Sequence, residues 1–283
     1  MIIKKEKDHL ERIFKNKKPI IGMIHLKPLP GSPLYDPQKC DFEKVLEIAL
    51  NEAKILKEEG VDGLQVENIW DYPYLPGEKI GYETVACLSI AASEVRKETG
   101  LPVGINCHLN GGDASLSAAV ASGAQWIRVF EWVNAYVSHT GITEGIGYQL
   151  ARKRSFLRST EICFFCDVHV KHGSHYIIHD RTIEEQAFDA ESEGAEVLIC
   201  TGFETGIAPT PERISSFKKS TSLPVILGSG INEKNAYELL NISDGAIVGS
   251  YFKTEGNWKN TIQRDRVAKF MEIVQKLRED ING

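Results

Sequence analysis

The chain of 283 residues carries 39 acidic against 33 basic side chains, a formal charge of −6, and 42% of it is apolar. These are the proportions of an ordinary folded protein and exclude a disordered or fibrous chain. The acidic balance argues against nucleic-acid partners, whose backbone calls for spread positive charge, while leaving room for a local pocket that holds a small anion.

In chain order, the opening "MIIKKEKDHLERIFKNKKP" is basic but has no apolar core of signal-peptide length, and no later run is apolar enough to span a bilayer. A cytoplasmic chain with no transmembrane segment is the expectation. Ile2, Ile3, Leu10, Ile13 and Phe14 are spaced as the apolar side of a leading helix, so residues 1–18 read as an extension able to cover the bottom of the domain that follows.

From residue 19 to the end, short β-rich runs alternate with longer helical patterns, the signature of repeated βα units on a parallel sheet. Strands are predicted at 19–26, 62–68, 102–109, 126–132, 161–170, 196–202, 224–230 and 245–252. Helices are predicted near 42–59, 83–99, 113–122, 144–158, 182–193, 210–219, 233–240 and 260–280. In the last, Ile262, Arg266, Phe270, Val274 and Leu277 recur at three- and four-residue steps, as an amphipathic helix requires. Eight strands each followed by a helix close into an α/β fold of the (β/α)8 TIM-barrel type, one domain over 19–283 with an N-terminal leading helix. An open doubly wound sheet is the alternative and fits the count less well. The fold class also carries the expectation of a homo-oligomer.

Six cysteines are scattered through apolar segments, which points to reduced, buried thiols. Cys163 and Cys166 have C-x-x-C spacing, but on an extended strand an offset of three puts them on opposite faces, against a redox or zinc pair. The Pro/Gly-rich stretches 27–37 and 71–81 follow the first two strands as long βα loops, where barrels of this kind keep lids and substrate walls. Trp70, Tyr72 and Tyr74 are candidates for such a wall.

The strongest local pattern is the pair "LGSGINEKNAYELL" (227–240) and "SDGAIVGSYFK" (243–253). Each strand run ends in glycine and serine, so that backbone N–H groups can approach an anion, and strands seven and eight are where many barrels hold phosphate. Gly228, Ser229, Gly230, Gly249 and Ser250 are the phosphate candidates; tight strand-to-helix turns are the competing reading.

Period-2 geometry puts Gln65 and Glu67 of the second strand, and Asn106 and His108 of the third, toward the barrel axis, with Cys107 and Leu109 toward the helices. His25 shares a face with Ile21 and Met23 at the exit end of the first strand. On the fourth, Arg128 or Glu131 points inward, not both. On the fifth, Asp167, His169 and Lys171 share one face, and Cys166, Val168 and Val170 the other. His25, His108, His139, His169, His172, His175 and His179 all fall at predicted strand ends or in the loops after them.

Inward carboxylates and imidazoles opposite a phosphate cradle can move protons beside a carbonyl while a cation stabilises the oxyanion. Glu67 or Asp167 would be the base, His108 or His169 the acid, and Lys171 or Arg128 the stabiliser. In an alternative scheme Glu67, His108, Asp167 and His169 bind a divalent zinc, manganese or iron ion that takes the oxyanion role. Lys171 as a Schiff-base nucleophile needs a depressed pKa; a phosphate-binding or solvent-exposed lysine is the plainer reading.

Together "IGMIHLKPLPGSP" (21–33), "FCDVHVKH" (165–172), "VILGSGINEKNAYELL" (225–240) and "DGAIVGSYFK" (244–253) resemble the BtpA/SgcQ family over nearly all the chain after residue 19. The resemblance implies a TIM barrel of the ribulose-phosphate-binding type. One branch of that family is associated with photosystem I biogenesis, and another lies among sugar phosphotransferase-system genes. His25 falls in the first matched motif; Asp167, His169, Lys171 and His172 fall in the second, and the glycine-serine ends in the last two. The chain departs from the family pattern at Phe130, after Arg128, and at Phe203 and Glu204 in the loop after the sixth strand. The expected activity is proton-transfer chemistry on a small phosphorylated sugar or related metabolite by an isomerase, epimerase or lyase. The alternative is a non-catalytic assembly factor that uses the barrel for binding.

Overall fold

A computed structural model of the chain describes residues 9–202 and 204–282, so Ile2, Ile3 and Phe203 lie outside the described residues. Eight parallel strands close on one another in the order β1 (Ile20–His25), β2 (Gly63–Glu67), β3 (Val103–Asn106), β4 (Trp126–Val129), β7 (Cys163–Asp167), β8 (Val197–Cys200), β9 (Val225–Leu227) and β10 (Gly245–Val248), which pairs back to β1. The (β/α)8 expectation is met. The outer layer consists of α2 (Phe42–Glu58), α3 (Tyr82–Thr99), α4 (Gly112–Ser122), α5 (Gly147–Phe156), α6 (Ile183–Ser192), α7 (Pro211–Ser220), α8 (Ala236–Ile242) and α9 (Arg264–Asn282). No described helix is long and apolar enough to cross a membrane.

Every residue of these barrel strands is buried, because a parallel sheet is covered on both faces. Alternation then sorts the side chains. Ile20, Ile24, Leu64, Val66, Ile105, Ile127, Phe164, Cys166 and Leu198 pack outward among the helices. Ile21, Met23, Trp126, Cys163, Phe165, Val197, Ile199, Ile226 and Ile247 fill the barrel, joined from below by Leu10, Ile13 and Phe14 of and just after α1 (His9–Ile13). The described part of the leading segment, from His9 on, packs under the barrel floor. Cys163 and Cys166 fall in different layers, as strand geometry requires.

The floor holds a large indole because β3 carries no side chain beside it. Trp126 lies 5.4 Å from both Phe14 and Phe165, centroid to centroid. A Cβ on Gly104 would sit 2.0 Å from the Trp126 indole, so β3 must be bare there. The indole Nε1 donates to Gln65 Oε1 at 3.1 Å, which satisfies two buried polar groups inside the barrel.

Three departures from the expected elements matter for the site. An antiparallel hairpin, β5 (Ala135–Ser138) and β6 (Gly141–Glu144), intervenes after β4, so α5 begins at Gly147 rather than 144. The fifth barrel strand ends at Asp167 rather than 170, and His169 and His172 take left-handed φ of 56° and 65°. The strict face-sharing of Asp167, His169 and Lys171 therefore fails beyond the strand. Leu109 and Val170, expected among the helices, instead pack with Phe130 and Tyr136 at the barrel mouth.

After β10 a strap, residues 254–261, doubles back over the mouth. Its base is closed by the Lys253–Ile262 bridge and by Thr254 N–H donating to Thr261 O at 3.0 Å. From outside the barrel, Glu52 of α2 receives Lys253 Nζ at 2.5 Å and Ile262 N–H at 3.2 Å, all of it buried. Removing one member of a buried ion pair strands the other charge, whereas replacing both with apolar groups does not. Glu52→Ala is expected to lower the unfolding free energy in urea by about 3–5 kcal/mol, and adding Lys253→Met to recover part of that loss.

Candidate active site

The mouth of the barrel opens into a cavity of about 500 Å³ at the C-terminal ends of the strands. Its floor is made by the last inward side chain of successive strands. His25 ends β1, Glu67 ends β2 and Arg128 lies on β4; these line the cavity together with His108, which follows β3.

Glu67 is the hub of one cluster. Its Oε2 accepts from Asn106 Nδ2 at 2.6 Å, while Oε1 lies 3.4 Å from His108 Nε2 and 3.7 Å from His25 Nε2, close approaches without hydrogen-bond alignment. Burial works against its charge, but the imidazoles of His108 and His25 and the guanidinium of Arg128 outweigh that and hold the carboxyl well below its usual range. His108 is stacked on Tyr74 at 4.6 Å and met edge-on by Phe130 at 4.9 Å, which fixes the ring plane without spending either ring nitrogen on a hydrogen bond.

His25 is in a different state. Burial and the nearby Lys253 push its pKa down to about 4 against the pull of Glu67, so the ring is neutral at pH 7. Its Nδ1 is 3.3 Å from the Trp258 carbonyl on the strap. A carbonyl only accepts, so Nδ1 carries the hydrogen and Nε2 presents a lone pair toward the cavity.

The second cluster joins β4 to β7. Arg128 Nε and its terminal nitrogen donate to the two carboxylate oxygens of Asp167 at 2.7 and 2.9 Å, a bidentate pair with both side chains buried. Of the fourth-strand alternatives Arg128 faces the cavity. Glu131 is buried outside its lining, with one oxygen unpartnered, and burial with Asp167 nearby raises its pKa well above the usual value. Lys171 also lines the cavity and makes no hydrogen bond or ion pair among the described residues.

His169 is not part of this assembly. Its left-handed backbone turns the ring away to stack on His175 at 3.8 Å, and its carbonyl accepts from Arg213 at 3.2 Å. The metal set Glu67, His108, Asp167 and His169 accordingly does not converge: both Asp167 oxygens are taken by Arg128, and His169 is outside the cavity. Among the described residues a metal-like spacing occurs only at the barrel floor, in His9, Cys163 and Glu196, where Glu196 Oε2 already accepts from Arg154 and from Phe164 N–H.

Across the cavity lie Gly228, Ser229, Gly230, Gly249 and Ser250, as expected. The bare Cα positions at 228 and 230 are demanded by neighbours: a Cβ would meet Ile199 at 2.5 Å or, at Gly230, the 207–208 backbone at about 2 Å with φ at +73°. The donors on this side of the cavity are backbone groups. The N–H groups of Ser229, Gly230, Ile231, Ser250 and Tyr251 find no acceptor among the described residues, and all five residues line the cavity. Arg266 joins them, its Nε donating to Tyr251 O at 2.5 Å and its guanidinium 4.4 Å above the Tyr251 ring. Sequence reasoning passed over Arg266, although it was the one charged position in the apolar stripe of the last helix. Two further lining residues, Tyr136 and His139, come from the hairpin that the sequence reading placed in a loop. Tyr74 lines the wall as expected, whereas Trp70 and Tyr72 group with Trp258 at centroid distances of 5.0 and 6.3 Å to form an aromatic rim.

Three likenesses bear on this architecture. The chain is 39% identical over 264 residues to an uncharacterized protein of Thermococcus kodakarensis, covering 93% of this chain and 97% of that one. It is 31% identical over 267 residues to the photosystem I biogenesis protein BtpA of Synechocystis, covering 94% and 91%. A solved tryptophan synthase structure from Mycobacterium tuberculosis superposes with a TM-score of 0.61 at 15% identity, covering 95% and 99%, a likeness of fold alone. The sequence pattern described as the BtpA family matches residues 16–276, and with two such relatives aligned end to end the chain belongs to the BtpA family.

Proposed function

We propose that the protein is an enzyme that binds a small phosphorylated carbonyl compound, such as a sugar phosphate, and moves a proton at the carbon beside the carbonyl. Isomerases, epimerases and lyases all use this step. The observation that carries the reading is the opposition, within one cavity, of unpaired backbone N–H groups and Arg266 to the Glu67, His25 and His108 cluster. Phosphate bound on the first side places the rest of the substrate against the second.

In this reading His108 transfers the proton, because its ring is held in plane by Tyr74 and Phe130 with both nitrogens uncommitted. Glu67 orients that ring and balances the imidazolium that forms, and the His25 Nε2 lone pair accepts from the substrate. Arg128 supplies positive charge toward a developing oxyanion, while Asp167, expected as a base, serves to aim Arg128. A second reading rests on the Synechocystis relative and its name: a barrel that binds a ligand and supports assembly of a membrane complex without turnover.

Inorganic phosphate and sugar phosphates should raise the thermal midpoint, while the unphosphorylated sugars should not. At about 100 times the dissociation constant the gain is about 2.7 kcal/mol. Arg266→Met should weaken phosphate binding by about 10- to 100-fold, the worth of a charged hydrogen bond. For whichever phosphorylated ketose protects best, exchange of its α-hydrogen in deuterated water, followed by NMR, should fall by about 10²- to 10⁴-fold in His108→Asn with the thermal shift retained. Protection without any exchange in the wild-type protein would favour the assembly reading.

A further inference from the structure

We propose that Lys171 is a covalent catalyst, forming an imine with the carbonyl carbon of the substrate whose phosphate is held across the cavity. The inference rests on the reading of the site given above and names the chemistry that reading leaves open.

The first ground is what the other cations are doing. Among the described residues, the lysines and arginines that line the cavity are Arg128, Lys171 and Arg266. Arg128 is paired with Asp167, and Arg266 is held by the Tyr251 carbonyl and ring, so each is fixed by a partner in the protein. Among the described residues Lys171 makes no hydrogen bond or ion pair. A phosphate-binding lysine would serve best beside the glycine-serine backbone, but the charges that act on Lys171 are those of Arg128, Asp167 and Glu67, on the opposite, proton-transfer side.

The second ground is how its backbone is held. On one side Val170 packs with Leu109, Phe130 and Tyr136, its carbonyl accepts from His175 Nε2 at 2.8 Å, and the His169 carbonyl is held by Arg213. On the other, His172 Nε2 is 2.7 Å from Thr205 Oγ1. His169 and His172 both adopt φ near +60°, a conformation that non-glycine residues take only where the surroundings impose it. A four-carbon side chain with no partner of its own among the described residues is thus presented from a braced loop to a cavity floored by Glu67 and Arg128.

The third ground is protonation. Burial and the facing Arg128 guanidinium lower the ammonium pKa to about 8, against the opposing pull of Asp167 and Glu67, so a sizeable neutral fraction exists near pH 7.5. The step balances without an oxidant or cofactor. The neutral Nζ lone pair adds to the carbonyl carbon, and the new ammonium passes one proton to the oxygen. The resulting hydroxyl takes a second proton from an acid, a role His108 is placed to fill, and leaves as water while the nitrogen lone pair closes the C=N bond. The iminium retains the remaining proton and draws the electron pair of an adjacent C–H or C–C bond, which serves both proton transfer and carbon–carbon cleavage.

Two measurements on the intact chain test this. With limiting formaldehyde and cyanoborohydride at pH 7.5, peptide mapping should find Lys171 methylated on the order of tenfold faster than the median surface lysine, the gain in neutral amine being partly offset by lower basicity. Dihydroxyacetone phosphate followed by borohydride should leave a reduced adduct on Lys171, competed away by inorganic phosphate and absent in Lys171→Arg. Labelling of Lys171 at the pace of surface lysines, or adducts spread over the surface in both proteins, would overturn the imine. If phosphate still raises the thermal midpoint in that case, the phosphate-binding reading survives without it; if phosphate gives no shift, that reading fails separately.

Discussion

Closing a parallel sheet into a barrel leaves no face of any strand in water, and the site follows from that constraint. Half of every strand must point to the axis, so floor positions are filled by Met23, Trp126, Phe165, Ile199 and Ile247, and only at the last inward position of each strand does the packed interior give way to open space. Charged and polar groups are tolerated there, and that is where His25, Glu67, Asn106, Arg128 and Asp167 lie, whereas deeper in the barrel Gln65 is satisfied by the Trp126 indole. Even at the rim of the core each charge must be answered. Arg128 and Asp167 answer one another, and Glu67 is answered by the Asn106 amide, the adjacent His108 ring and the field of Arg128. Lys171 stands apart from this pairing.

The fold was legible because its cause is local. Period-2 burial marks the strands, glycine and proline mark the loops after β1 and β2, and the count of eight leaves few ways to connect them. The inward assignments of Glu67 and Asn106 hold for the same reason, since they end regular strands, and of the open pair on the fourth strand Arg128 lies within the strand while Glu131 lies beyond its end. Once the strand stops at Asp167, alternation has no authority. His169 is displaced because Val170 finds apolar company at the mouth, in Leu109, Phe130 and Tyr136, that no neighbour in sequence announces. The hairpin of β5 and β6 was missed on similar grounds: a two-stranded ribbon is marginal alone and is held by distant partners, here the Val137–Ser174 bridge and the burial of Tyr136.

The phosphate candidates line the cavity, but the cause of their glycines is partly different from the one expected. The glycines were expected to bare the backbone to an anion. Two of them are needed instead by Ile199 and by the loop at 207–208, and the free N–H groups extend to Ile231 and Tyr251, which are not glycines at all. Arg266 could have been found by asking why a guanidinium interrupts Ile262, Phe270, Val274 and Leu277 in an otherwise apolar stripe.

The strap over the mouth ties layers of the molecule that have no other reason to communicate. Its base is fastened to Glu52 on an outer helix, and its tip delivers the Trp258 carbonyl that decides which nitrogen of His25 is bare. The reactive face of an axial imidazole is thus set from the outside of the barrel. A lineage of such proteins could retune its chemistry by altering the fastening, leaving every wall of the cavity untouched, and a comparison restricted to cavity residues would miss the change.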